Sequence, residues 1–126
     1  MPALLLHIRE RFCGMTRLDT QLLVSALLRR VESAGGFATV LHKGDRLSGI
    51  ILVQLLERGH FRTVLERMTD LDGKQKMIPC GPKYDAQDTE ISDYISKRKR
   101  VDPDLWLIEL DIAEGERFAD EILCGG

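Results

Sequence analysis

The residues best suited to hold a ligand fall in two short segments. Lys43-Gly44-Asp45 puts a cation and a carboxylate on a glycine-bearing connection, and Asp102-Pro103-Asp104 leads into Trp106, the sole tryptophan. A cation, carboxylates and an indole face are the groups that would bind a small molecule, and loops commonly carry function on small scaffolds. The candidate ligand-binding residues are therefore Lys43, Asp45, Asp102 and Trp106, with a pocket near Lys43, Asp45 and Trp106. Each also has a plainer role. Gly44 would permit a positive φ, Asp45 would cap the turn, and Trp106 would anchor the core. The Lys43–Gly49 connection lacks the spacing and the terminal Lys-Ser/Thr pair of a phosphate-binding P-loop. A strand-to-strand loop also offers no helix N-terminus to an anion.

No set of residues points to catalysis or to a metal. His42, Asp45 and Ser48 are close in sequence but flank a turn, which places no hydrogen-bond line among them. There is no G-x-S-x-G nucleophile elbow. The histidines, His7, His42 and His60, are scattered, and the cysteines, Cys13, Cys80 and Cys124, are far apart and odd in number. That pattern lacks the ligand spacing of a zinc or iron site, and in a reducing compartment it reads as free thiols. No catalytic residue, metal or cofactor is expected, and the reading leans away from an enzyme.

Two charge clusters remain. Lys97-Arg98-Lys99-Arg100 could contact phosphates, but four consecutive helical residues sweep about 300° of the helix, so they cannot all face one backbone. Basic residues at a helix C-terminus also suit its dipole. Only weak nucleic-acid binding is expected of Lys97–Arg100. From Asp102 to Glu121 the acidic residues are Asp102, Asp104, Glu109, Asp111, Glu114, Glu116, Asp120 and Glu121, against one basic residue, Arg117. This block reads either as a solvated edge or as a docking surface for a basic partner, including the Arg29/Arg30 end of another subunit.

The chain that must position these groups has 126 residues and a mass of 14.3 kDa, room for one domain. Hydrophobic residues make up 44% and charged residues 30%, the balance of a soluble globular protein. Lys plus Arg total 18 and Asp plus Glu 20, a net charge of -2, so nothing draws the whole molecule to nucleic acid or anionic lipid. The apolar run Ile50–Leu56 is far shorter than the roughly 20 residues of a membrane helix. Ala3–Leu6 is too short for a secretory signal, which needs roughly 7 to 15 apolar residues after a basic start. A cytoplasmic location with no membrane association follows as the expectation.

Apolar residues Leu23, Leu27, Val31 and Ala34 recur at helical spacing over Thr20–Ala34, with Asp19 or Thr20 to start the helix and Gly35-Gly36 to stop it. Phe37–Lys43 reads as a strand. Gly49–Leu56 is apolar on both faces and is placed at the sheet centre. Glu57–His60 reads as a hairpin into a strand over Phe61–Met68. Lys74–Ile78 is a short edge strand, since Pro79 cannot donate to a ladder. A helix over Ala86–Arg100 is capped by Asp85. In Leu105–Ile112, Trp106, Ile108, Leu110 and Ile112 share one face, while Glu109 and Asp111 on the other must meet water. A C-terminal helix spans Glu114–Leu123. Short connections imply mostly antiparallel pairing. The fold class is α+β, a mostly antiparallel sheet of four to five strands with two to three helices packed on it. Residues 17–126 form this single domain. Residues 1–16 are an appendage, read either as a poorly packed arm, as an extra strand or turn, or as the product of a misassigned start ahead of Met15.

Two segments carry a family resemblance. VSALLRR, AGGFATVLHKGD and the following Gly49, within Leu23–Gly49, and above all DPDLWLIELDIAEGERF, Asp102–Phe118, resemble the bacterial family called domain of unknown function 1491. The first sixteen residues have no counterpart in it. The resemblance implies a small bacterial cytoplasmic protein and transfers no activity, because the family has no assigned catalytic residues. The leading functional reading is a non-enzymatic interaction or regulatory module with an unidentified protein partner, and with a homodimer formed through an exposed sheet edge. The alternative is a small-molecule-binding protein or enzyme at the Lys43/Asp45/Trp106 pocket.

Overall fold

A computed structural model of the chain describes residues 19–47 and 50–125. The appendage expected over residues 1–16 lies outside them. Helix α1, Thr20–Ser33, begins at Asp19, whose carboxylate accepts from the Gln21 amide at 2.9 Å and from Arg46 at 2.7 Å. Val24, Leu27 and Val31, one helical turn apart, form its buried stripe. Gly35, at φ 92°, ends it in the left-handed conformation that glycine adopts without penalty.

Strand β1, Phe37–His42, follows, then β2, Ile51–Glu57, and β3, His60–Thr69. Between β2 and β3 the turn residues Arg58 and Gly59 both have positive φ, 54° and 80°, as a two-residue type I′ hairpin requires. Strand β4, Gln75–Cys80, pairs among the described residues with β3 alone, and Pro79 sits in this edge strand where a missing donor does least harm. Helix α2 runs over Asp88–Val101, strand β5 over Trp106–Asp111 and helix α3 over Gly115–Leu123.

The sheet order is β1-β5-β2-β3-β4. All neighbours are antiparallel except β2 and β5, which run parallel at the centre. This is the mostly antiparallel α+β architecture, with five strands and three helices among the described residues. The largely apolar β2, interrupted by Gln54, lies in the middle, where both its faces are covered. On one face, α1 and α3 bury Val24, Leu27, Val31, Phe118 and Leu123 against the Trp106, Ile108 and Leu110 row of β5. On the other, α2 places Ile91 and Ile95 over Leu52, Val64, Leu105 and Leu107.

Three local expectations are corrected. The start of helix α2 is organised by Gln87, whose amide donates to Glu90 Oε1 at 2.7 Å, rather than by Asp85. The second face of β5 does not simply meet water: Leu105 and Leu107 are buried beneath α2, and Glu109 accepts from Gln54 at 3.2 Å. Gly44 is not among the glycines with positive φ. It is needed because a Cβ there would stand 2.2 Å from the Asp104 carbonyl oxygen.

Candidate functional site

The four residues singled out for ligand binding meet at one corner. The backbone of β1's exit crosses that of the turn before β5 so closely that only glycine fits at position 44. There the Asp45 amide donates to the Asp104 carbonyl at 2.9 Å, and the indole Nε1 of Trp106 donates to the Asp45 carbonyl at 2.7 Å. Asp45 Oδ2 accepts from the Leu47 amide at 3.2 Å, and Asp102 Oδ1 from the Asp104 amide at 3.3 Å, both short carboxylate-to-backbone turns. His42 Nδ1 lies 2.9 Å from the Leu105 carbonyl, a third tie between the two segments. Trp106 is only 2% exposed, its ring packed in the core, while Lys43 and Asp45 face outward. The arrangement fastens β1 to β5 through backbone groups.

A second cluster lies under α2. Arg98 Nη1 donates to Glu66 Oε1 at 3.1 Å and to the Tyr94 hydroxyl at 2.8 Å. The bond from Arg98 to Glu66 strengthens its positive charge and raises its pKa further. Burial pushes the neighbouring Cys80 thiol up, and Tyr94 with it, so neither ionises readily to a nucleophile. Gly81 lets the chain pass against the Tyr94 ring, 2.6 Å from where a Cβ would sit. These contacts tether α2 to β3 and β4. They also divide the basic run: Arg98 turns inward to its partners, Lys97 and Arg100 point to solvent, and Lys99 flanks the sheet.

The acidic block is divided as well. Asp111 accepts from the amides of Arg58 and Gly59, both at 2.9 Å, which holds the β2–β3 hairpin. Glu121 pairs with Arg30 of the same chain at 3.6 Å, and Arg30 stacks over Phe118 at 4.7 Å. The Arg29/Arg30 end therefore has an acidic neighbour within its own molecule. Among the described residues, no group of three or more His, Cys, Asp or Glu is placed to hold a metal ion.

A groove opens where α2 stops short of covering the sheet. Its volume is about 370 Å³. Leu41, Leu56, Phe61 and Leu107 line it from the sheet, and Ile91 and Ile95 from the helix. Ser92 and Ser96, exposed and one turn apart, leave room beside those isoleucines. Asp88 lines it from the start of α2 and Lys99 from near its end, so the groove carries opposite charges at its two ends. The eleven-residue step from Asp88 to Lys99 corresponds to about 16 Å along a helix. Beyond Leu41, which is 47% exposed, the same sheet face continues to Phe37, 74% exposed.

A family model described as protein of unknown function, DUF1491, matches residues 18–120. The chain belongs to the DUF1491 family. Solved structures of DUF1491 proteins agree. A crystal structure of a family member from Caulobacter crescentus is 31% identical, with a TM-score of 0.70 over 80% of this chain and 94% of that one. A solution structure of a member from the same organism is 34% identical, with a TM-score of 0.66 over 80% and 91%. A protein from A. tumefaciens, solved in solution, is 29% identical, with a TM-score of 0.61 over 78% and 88%. No curated protein matches the chain.

The DUF1491 motif segments seen in the sequence, AGGFATVLHKGD and DPDLWLIELDIAEGERF, are the two that meet at the Gly44–Asp104 crossing. The groove has almost no signature in the sequence. Its one local signal is the Ser92/Ser96 pair beside Ile91/Ile95, which marks a helix face that is apolar but narrow. The sheet residues that complete it come from four different strands.

Proposed function

We propose that this DUF1491 protein is a bacterial cytoplasmic interaction module, not an enzyme, and that its groove between α2 and the sheet receives an apolar segment of a protein partner. The observation that carries this is the groove itself: a cleft open to solvent whose lining mixes apolar side chains with Gln54, Ser92 and Ser96, with Asp88 at one end and Lys99 at the other. Concave sites that combine apolar walls with a few placed polar and charged groups typically bind ligands or partners, and Leu41, 47% exposed, offers an apolar contact at the rim. About 16 Å accommodates five extended residues at about 3.3 Å each. The complementary segment has apolar side chains at alternate positions, a basic residue toward Asp88 and an acidic residue toward Lys99. A bacterial setting is supported by the organisms of its structural relatives. No helix among the described residues is long and apolar enough to cross a membrane. Residues 17–126 are proposed as the working unit, with 1–16 as an appendage.

Selection from a library of displayed peptides tests the reading. Enriched peptides should show that apolar alternation with opposite terminal charges. They should lose binding to Ser96→Trp, which fills the groove from an exposed position without touching the core. Enrichment that ignores Ser96→Trp, or no enrichment at all, overturns the proposal.

A further inference from the structure

The two edges of the sheet are built differently. Strand β4 carries Lys76 and Pro79 on its open edge, both devices that discourage further strand pairing. Strand β1, Phe-Ala-Thr-Val-Leu-His, has no Lys, Arg, Asp, Glu or Pro over Phe37–His42. Among the described residues nothing pairs with its outer edge. Its register with β5 is regular from Phe37 to Val40, and the bulge falls only between Val40 and His42. Phe37, Thr39 and Leu41 alternate outward on one face, all exposed. An open edge with an apolar stripe and no gatekeeper charge is a template for another strand.

We propose that a second copy of this chain occupies that edge, β1 pairing antiparallel with the partner's β1 about a two-fold axis at Thr39. This goes beyond the groove reading and stands on the edge strand alone. Directly opposed residues share a face in an antiparallel pair. Centring on Thr39 therefore sets Phe37 against the partner's Leu41, and Ala38 against the partner's Val40. The stripe is thereby self-complementary, giving two aromatic–aliphatic cross-strand pairs on the exposed face. Charge agrees with the same orientation. The strand is preceded by the C-terminal end of α1 with exposed Glu32, and followed by exposed Lys43. Antiparallel pairing brings each Lys43 toward the open carbonyls and Glu32 at the end of the partner's α1, where Arg30 is already paired with Glu121 of its own chain and Arg29 is exposed, twice by symmetry. The isologous pairing also has a consequence for the groove. Leu41 is one of its walls, so the partner's Phe37 would extend that wall and each groove would be completed by the other subunit.

Mass and cross-linking test the pairing. Light scattering on the full chain should give twice 14.3 kDa at high concentration. Thr39→Lys, at an exposed position, sets like charges directly across the axis. It should return the mass to 14.3 kDa while keeping the native circular-dichroism spectrum, with a melting midpoint that no longer depends on protein concentration. Thr39→Cys puts two thiols across the axis with Cβ atoms about 5 Å apart, near disulfide range. Mild oxidation should then yield a 39–39 cross-linked peptide by mass spectrometry, and Ala38→Cys, which opposes position 40, should yield far less. A mass of 14.3 kDa for the native chain at every concentration overturns the proposal. If β1 amides are nonetheless protected from exchange at that mass, the edge is covered by the chain's own residues. A dimer that survives Thr39→Lys and gives no 39–39 peptide also overturns it, because the copies then meet elsewhere.

Discussion

The indole Nε1 of Trp106 donates to the backbone carbonyl of Asp45 at 2.7 Å, tying the first residue of β5 to the turn that leaves β1. The ring is buried in the core, while its one polar atom reaches the rim and is satisfied there. Removing the side chain opens a large cavity between α1 and β5. Trp106→Ala should cost about 3–5 kcal/mol by chemical denaturation. Trp106→Phe should cost less, since a ring still fills the space and the exposed Asp45 turn can bond to water. The native tryptophan emission should be blue-shifted and resist iodide.

Gly44 and Gly59 separate two reasons for a glycine. A Cβ at Gly44 would meet the Asp104 oxygen at 2.2 Å and the Leu105 carbonyl carbon at 2.6 Å, both backbone. At Gly59 the space is open and only φ, at 80°, is unfavourable for a side chain. Gly59→Ala should therefore cost about 1 kcal/mol. Gly44→Ala should cost about 1–3 kcal/mol or more, because two backbone segments must move apart. Equal losses in the two variants would mean that the crossing at Gly44 is looser than the structure places it.

Both described cysteines should be slow nucleophiles. Burial, with the Asp120 carboxylate nearby, holds the Cys124 thiol pushed up to about 11, and burial raises Cys80 as well. At pH 8 iodoacetamide should modify Cys80 and Cys124 much more slowly in the folded protein than in denaturant. The linkage has a definite sign. Cys124 ionises at a higher pH in the folded state than its ordinary 9.0, so its contribution to stability is full below about 9. It should be lost as pH rises toward about 11. A denaturation series from pH 8 to 11 reads this directly.

Arg98 is the inward member of the basic run. Arg98→Ala removes a charged hydrogen bond from Glu66 and leaves that carboxylate partly buried without its cation. The expected loss is about 1.5–3 kcal/mol. Lys97→Ala and Arg100→Ala, at solvated positions, should stay within about 0.5 kcal/mol of the parent protein. Equal effects at all three positions would contradict the division of the run.

Most elements are legible in the sequence because their signals are local. The three-to-four spacing of α1, the Gly35 stop, the doubly apolar β2 and the alternation from Trp106 to Ile112 each follow from residues a few positions apart. What the sequence conceals is long-range. Nothing near Leu107 or Phe37 reveals that β5 inserts between β1 and β2 and runs parallel to β2, because the connection passes through β3, β4 and α2. The same distance hides the groove, assembled from Leu41, Phe61, Ile91 and Leu107. It also hides the closeness of Gly44 to Asp104, which sequence reasoning replaces with the commoner explanation of a positive φ. The α2 cap is missed for a different reason: Asp85 is the stronger cap by residue type, but the Gln87–Glu90 pair supplies the hydrogen bond.

Whether the groove between α2 and the sheet takes up an apolar segment is read by amide chemical-shift mapping. A peptide with leucines at alternate positions, lysine at one end and glutamate at the other is titrated into the ¹⁵N-labelled full chain. Saturable shifts should concentrate at Gln54, Phe61, Ser92, Ser96 and Lys99 and disappear in Ser96→Trp. Shifts centred instead on Lys43, Asp45 and Trp106, or confined to Lys97–Arg100 and abolished by salt, would contradict uptake in the groove.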